Sequence, residues 1–226
     1  MIQRRIFNDK EKWREFRAGY FTASESVKLL SEPKLKADKE AGNLSDGAMT
    51  YVIERAAEKE APLEPDFYNS KMERGNEVEP QAALAIAEKF GLDVNSDDFI
   101  YTSEGGSVFF FDDEFNAGST PDVILKEDIC EIKCPDSKQH LAYMLVKTAE
   151  QLKDNYLKIY NQIQQNIWLA EKKGGWFISF DDRFYNKKLH AHFVRIPKDE
   201  EHLAHLKTKL KKAKSVQEEI LTTINA

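Results

Sequence analysis

The stretch Ser119-Thr120-Pro121-Asp122-Val123-Ile124-Leu125-Lys126-Glu127-Asp128-Ile129-Cys130-Glu131-Ile132-Lys133-Cys134-Pro135 decides how this chain is read. Apolar residues at 123–125 and 129–132 mark two short strands, and Lys126, Glu127 and Asp128 supply the polar turn between them. Side chains two apart on a strand share a face, so Glu131 and Lys133 project together while Ile132 enters a core. A hairpin folded about residue 127 sets Asp122 nearly opposite Glu131 and Ile132. Two carboxylates and an ammonium then converge, the smallest set that holds a hard divalent cation beside a water attacking a phosphate. The plainer alternative is a surface hairpin with an ion pair. The apolar residue between the charges, Pro121 before Asp122, and candidate partners elsewhere favour a catalytic centre.

Composition sets the bounds. The 226 residues can bury a substantial core, and one domain spanning 1–226 is the natural expectation. A hydrophobic share of 41% and a charged share of 32% suit a globular chain rather than a disordered one. No stretch reaches the roughly 18 uninterrupted apolar residues of a membrane span. The N-terminus lacks the apolar run of a signal peptide, so a cytoplasmic location with no membrane role is expected. The net charge of −6 argues weakly against a non-specific nucleic-acid binder, yet a basic groove on an acidic exterior is compatible with it. Cys130 and Cys134 would lie about 13 Å apart on a strand at ~3.3 Å per residue, too far to bridge. Two thiols also fall short of a structural zinc or iron–sulfur set, so both read as small core residues.

Along the chain, 9–18 predicts a helix capped by Asp9 and ended by Gly19, and Thr22-Ala23-Ser24-Glu25-Ser26 the start of another. Residues 32–46 read as loop. Helices follow at about 48–61 and 76–91. Strands are expected at 107–112, 121–126, 129–134, 176–180 and 189–196, and a Lys-rich helix at 199–222. Apolar residues Leu152, Tyr156, Ile159, Ile163 and Ile167 predict one amphipathic helix over 148–171. The fold class is α+β, a central mixed β-sheet flanked by helices.

Further candidates have weaker signals. Glu79 lies four residues after Gly75 at a predicted helix start, where a carboxylate also suits the helix dipole. Gln164 shares a stripe with Tyr160 and Trp168, facing either a site or its surroundings. Arg17 with Thr22 and Ser24 offers a guanidinium, two hydroxyls and backbone N–H groups to a phosphate; a cap and a surface arginine are the plainer alternative. His190 and His192 read as half-exposed strand residues before metal ligands. Lys207, Lys209, Lys211, Lys212 and Lys214 read as a solvated face before a DNA contact.

Taken in order, these pieces resemble the phage-lambda-type alkaline exonuclease and viral recombinase family, within the PD-(D/E)xK nucleases and their restriction-endonuclease-like fold. The matching blocks are Trp13 with Arg17-x-Gly19-x-x-Thr22-Ala23-Ser24-Glu25, Gly75-x-x-x-Glu79, Ser119 with Pro121-Asp122, and Glu131-x-Lys133-Cys134-Pro135. Gln162-x-Gln164 with Trp168 follows, then Trp176 with Phe180-Asp181-x-Arg183 and Leu189-His190. The loop 32–46 and the segment 136–148 have no match.

The resemblance implies a Mg²⁺-dependent 5′→3′ exonuclease of linear double-stranded DNA, leaving 3′ single-stranded tails for phage-type recombination. It implies two Mg²⁺ ions, with Mn²⁺ able to substitute, held by Asp122, Glu131, the carbonyl of Ile132 and Glu79. Lys133 would orient and acidify the water, Gln164 would position Lys133 or the nucleophile, and Arg17 and Ser24 would hold the end phosphate. Met72 would be the wedge that parts the terminal base pair. A homotrimeric ring, a single-strand annealing partner and a phage- or prophage-encoded origin in a bacterial host complete the expectation. An endonuclease or RecB-like nuclease on the same core is the enzymatic rival, though the missing cysteine quartet disfavours its iron–sulfur members. An inactive DNA-end-binding module would be expected to lose Asp122, Glu131 or Lys133, and all three are present.

Overall fold

Residues 123–125 and 128–133 form an antiparallel hairpin with Val123 opposite Cys130 and Ile124 opposite Ile129, which brings Asp122 level with Glu131. The computed structural model describes residues 1–63, 70–102 and 107–226, with the backbone alone at 70–72 and 107. The chain begins with β1 (Ile2–Phe7), α1 (Lys10–Arg17), β2 (Phe21–Thr22), α2 (Lys36–Glu40), α3 (Asp46–Glu60) and α4 (Ser70–Phe90). Next come β3 (Phe99–Tyr101), β4 (Ser107–Asp112), β5 (Ala117–Ser119), β6 (Val123–Leu125) and β7 (Asp128–Lys133). The remainder is α5 (Ser137–Met144), α6 (Ala149–Asn155), α7 (Leu157–Leu169), β8 (Gly174–Phe180), β9 (Ala191–Pro197) and α8 (Glu200–Ile224).

The fold is α+β, but with two mixed sheets where the sequence predicts one. The larger has order β3-β6-β7-β8-β9, with β7 and β8 parallel and the other neighbours antiparallel. The smaller has order β1-β4-β5-β2. β1 pairs with β4 along its whole length, yet its residues 2–6 are not buried, so no period-two apolar signal marks it. Parity divides the larger sheet. Val123, Cys130, Ile132 and Ile178 pack against Val78, Ala82 and Ile86 of α4. Ile124, Ile129 and Phe177 belong with Ile163 and Ile167 of α7 to the main core. Each fully buried isoleucine contributes roughly 1.5–3 kcal/mol, which fixes α7 against the sheet. At Gly175 a Cβ would stand 2.8 Å from Ile129 Cδ1 and 3.0 Å from Ile163 Cγ2, so glycine permits this close approach.

Helix ends follow local chemistry. Asp9 accepts from the Lys12 N–H at 2.9 Å, as a cap should, and Gly19 after α1 has φ +80°. Other boundaries depart from expectation. The segment after Thr22 is a short 3₁₀ turn, Ser26–Leu30, and the 32–46 loop contains the small helix α2. α4 starts at Ser70 and carries Pro80 inside it, so Glu79 sits mid-helix rather than in a first turn. The predicted helix over 148–171 is two helices, α6 and α7, broken at Tyr156 (φ −141°, ψ 53°). Its apolar spacing runs through the break because Leu152 and Ile159 enter the same core.

A buried carboxylate ties three segments together where β8 ends. Asp181 accepts from Arg74 of α4 at 3.1 Å, Ser137 of α5 at 2.6 Å and Arg183 Nε at 2.8 Å, and Arg183 also donates to the Pro135 carbonyl at 3.1 Å. Burial works against the charge, but the Arg183 and Ser137 hydrogen bonds hold the Asp181 carboxyl well below the usual range. A depressed carboxylate gives stability that is full above its unfolded pKa and is lost as pH falls through the folded one. Asp181→Asn should therefore cost about 2–3 kcal/mol at neutral pH, the scale of hydrogen bonds to charged groups. Urea denaturation across pH checks it: the gap from wild type should close as pH drops below the 3.8 of an ordinary aspartate. A gap independent of pH would contradict this role.

Candidate active site

Three acids meet at the open end of the hairpin. Asp122 Oδ2 accepts the backbone N–H of Ile132 at 2.6 Å, a bond that the strand register delivers directly. Glu131, 0% exposed, splits its carboxylate: Oε1 takes the Lys133 ammonium at 2.6 Å and Oε2 takes the Asn166 amide at 3.0 Å. From the other side of the sheet, Glu79 of α4 accepts from the Tyr101 hydroxyl at 3.2 Å. Burial, then the charges of Glu131 and Glu79, push the Asp122 carboxyl well above its ordinary value, against Lys133 and the Ile132 N–H. For Lys133 burial pulls down, but Glu131 and Asp122 outweigh it and the ammonium is raised. The centre thus sets three carboxyl groups against a single lysine.

That donor set fits a hard divalent cation, which prefers carboxylate and carbonyl oxygens. Among the described residues no three His, Cys, Asp or Glu side chains stand in finished ligating geometry. The acids instead face hydrogen-bond donors: Asp122 the Ile132 N–H, Glu131 both Lys133 and Asn166, one on each oxygen, and Glu79 the Tyr101 hydroxyl.

A cleft of about 800 Å³ opens beside this centre, with Asp122 and Glu79 in its wall. Arg14, Arg17, Arg55 and Ser24 line the same cleft. Arg17 lies over the Trp13 ring at 4.4 Å, and the Trp13 indole donates to Thr120 Oγ1 at 3.3 Å, so α1 is tied to the strand end preceding Asp122. Ser24 Oγ is 3.4 Å from Thr22 Oγ1. The N–H groups of Ala23 and Glu25 are spent on the Gly118 and Thr22 carbonyls, which leaves side chains rather than a helix terminus to meet an anion.

The structure brings Asp122, Glu131, Lys133 and Glu79 together and puts Arg17 and Ser24 in the lining of the cleft beside them. It does not bring Gln164 there. Gln164 is fully buried, donating to the Pro197 carbonyl at 2.8 Å and accepting from the Asp199 N–H at 2.9 Å, which joins α7 to the β9–α8 connection. The face of α7 turned to the site carries Gln162, in the cleft wall, and Asn166 one turn later. Met72 lies on α4, but its side chain is outside the described residues. Arg14, Arg55, Tyr101 and Asn166 escape the sequence reading. An asparagine four residues after Gln162 inside an apolar helix was the one signal available for the last.

The remaining candidates resolve as structure. His190 and His192 bond the Phe184 and Val146 carbonyls, each at 2.7 Å. Cys130 is buried and Cys134 half-buried, and burial together with Glu79 pushes the Cys134 thiol up to about 12. Lys209 and Lys211 pair with Glu32 and Glu114 at 2.6 and 2.8 Å, while Lys207 lies over Trp168 at 4.6 Å. Among the described residues no helix is long and apolar enough to cross a membrane.

Solved structures share this architecture. An alkaline exonuclease (LHK-Exo) from Laribacter hongkongensis superposes with a TM-score of 0.73 at 20% identity, over 95% of this chain and 96% of that one. Its complex with dAMP gives 0.72 at 21% identity, over 95% of each chain. A phage-related exonuclease from Haemophilus somnus 129PT gives 0.69 at 21% identity, over 90% of this chain and 95% of that one. At such identities the likeness is one of fold. No curated protein matches the chain. The family model of the YqaJ-like viral recombinase domain matches residues 12–173, which include Asp122, Glu131 and Lys133, and the chain belongs to that family.

Proposed function

We propose that this protein is a divalent-metal-dependent exonuclease that degrades linear double-stranded DNA 5′→3′ and leaves 3′ single-stranded tails. The observation that carries this reading is the Asp122–Glu131–Lys133 centre at the edge of an arginine-bearing cleft. Family membership and the exonuclease fold shared with the Laribacter and Haemophilus proteins support it.

Asp122, Glu131, the Ile132 carbonyl and Glu79 would hold Mg²⁺ in two ions, with Mn²⁺ able to replace it. Bound there, the metal supplies Lewis-acid polarisation of the scissile phosphate and a water of lowered pKa. Lys133, whose ammonium bonds Glu131 Oε1 at 2.6 Å, would donate a hydrogen bond that orients and acidifies the attacking water. Arg17 and Ser24 would hold the phosphate at the DNA end through charge-assisted bonds, with Arg14 lining the same cleft and Arg55 there paired to Glu58 at 2.8 Å. A ring-shaped homotrimer, a single-strand annealing partner and a phage-type recombination role in the bacterial cytoplasm complete the proposal. Acidic outer faces would repel stray DNA while a few cations lining the ring track the backbone.

Strand-labelled linear duplex, with and without Mg²⁺ and beside a closed circle, tests the reading: loss of 5′ label from the linear substrate alone is expected. Cutting of the circle would identify an endonuclease instead. Asp122→Asn and Glu131→Gln should abolish cleavage, and Lys133→Ala should slow it about 10²-fold or more while metal still binds. Wild-type rates in Lys133→Ala would remove that residue from the chemistry. Ends bearing a 5′-hydroxyl should be degraded more slowly than phosphorylated ends, and Arg17→Ala should erase the difference. Light scattering should give three times the chain mass of 26.1 kDa; a monomer at working concentration would refute the ring.

A further inference from the structure

Asn166 is a feature for which neither the fold nor the motif accounts. It sits at 0% exposure on α7, a helix otherwise packed into the main core, and its Nδ2 donates to Glu131 Oε2 at 3.0 Å. Its Oδ1 is buried with no hydrogen-bond partner among the described residues. A leucine or isoleucine there would satisfy the core without leaving a polar atom orphaned. The amide therefore serves the bond that it gives to Glu131. Its placement is rigid, because Ile163 and Ile167 fix the helix and Gly175 lets it approach the sheet.

The consequence lies in what the carboxylates can offer. With Oε2 accepting from Asn166 and Oε1 from Lys133, the Glu131 carboxylate is held in one rotation, and turning it to suit another coordination geometry would break the amide bond where no solvent can replace it. Asp122 is restrained in the same way, its Oδ2 tied to the Ile132 N–H at 2.6 Å. Calcium takes six to eight oxygens and commonly chelates carboxylates through both, whereas magnesium accepts single oxygens in a tight octahedron and keeps several waters. We infer that Asn166 is a positioning residue that fixes the rotation of the Glu131 carboxylate and so makes the centre select Mg²⁺, which demands a strict octahedron, over the more adaptable Ca²⁺. This rests on reading the acids as a metal centre, as proposed above.

Calorimetric titration of MgCl₂ and of CaCl₂ into the metal-free, DNA-free protein gives the affinity ratio without reference to activity. Asn166→Leu and Asn166→Ala remove the donor with opposite packing errors, so an effect common to both is not one of volume. Each should weaken Mg²⁺ about tenfold or more, the scale of lost outer partners of metal ligands, and weaken Ca²⁺ much less. The Mg²⁺ preference should narrow accordingly. Gln164→Leu, equally buried on the same helix but bonded to the Pro197 and Asp199 backbone, should lower the melting temperature and leave the ratio unchanged. A ratio within about twofold of wild type in both Asn166 variants, or the same shift in Gln164→Leu, would overturn the inference and leave the metal centre standing. Mg²⁺ binding that survives intact in Glu131→Gln would instead refute the centre itself, and this inference with it.

Discussion

The rest of the structure depends on holding Asp122 and Glu131 side by side with one lysine between them and solvent. Burial and, after it, the like charges of Glu131 and Glu79 raise the Asp122 carboxyl. The hairpin makes the arrangement tolerable by giving each acid a donor it cannot lose. Asp122 takes a backbone N–H from the neighbouring strand, which needs only the correct register. Glu131 takes Lys133 from its own strand and Asn166 from the helix behind it. A divalent cation would satisfy the same charges more completely, which supports the metal centre proposed above.

Two structural devices keep that geometry. α7 is locked to the sheet by buried isoleucines and the close approach at Gly175, so Asn166 meets Glu131 without slack. At the far end of β8, Asp181 draws Arg74, Ser137 and Arg183 together. Arg183 then reaches the Pro135 carbonyl, just beyond Lys133. Through Arg74 the same carboxylate anchors α4, the helix that brings Glu79 to the acidic centre. The acids thus come from two elements whose relative position is set by one network.

What was legible in the sequence was local. Period-two parity put Glu131 and Lys133 on one face and Ile132 on the other, and the polar turn set the register that places Asp122. Glu79 could be suggested by motif order, but its distance from the hairpin depends on α4 crossing the opposite face of the sheet, which no spacing encodes. Gln164 illustrates the limit most clearly. Its stripe with Tyr160 and Trp168 is real, since all three are buried on α7. Helical periodicity says which residues share a face but not what that face meets, and this one meets the β9–α8 connection. The break at Tyr156 was hidden for a related reason: both helices enter one core, so the apolar rhythm survives a change of direction.

The most direct test of the account is to locate the cation itself. A crystal soaked in Mn²⁺ and measured at its absorption edge shows the ion by anomalous scattering. The account predicts a peak within coordination distance of Asp122, Glu131 and the Ile132 carbonyl, with Asn166 still bonded to the outer oxygen of Glu131. Saturating Mn²⁺ that leaves those carboxylates bare, or that appears only elsewhere on the molecule, would contradict it.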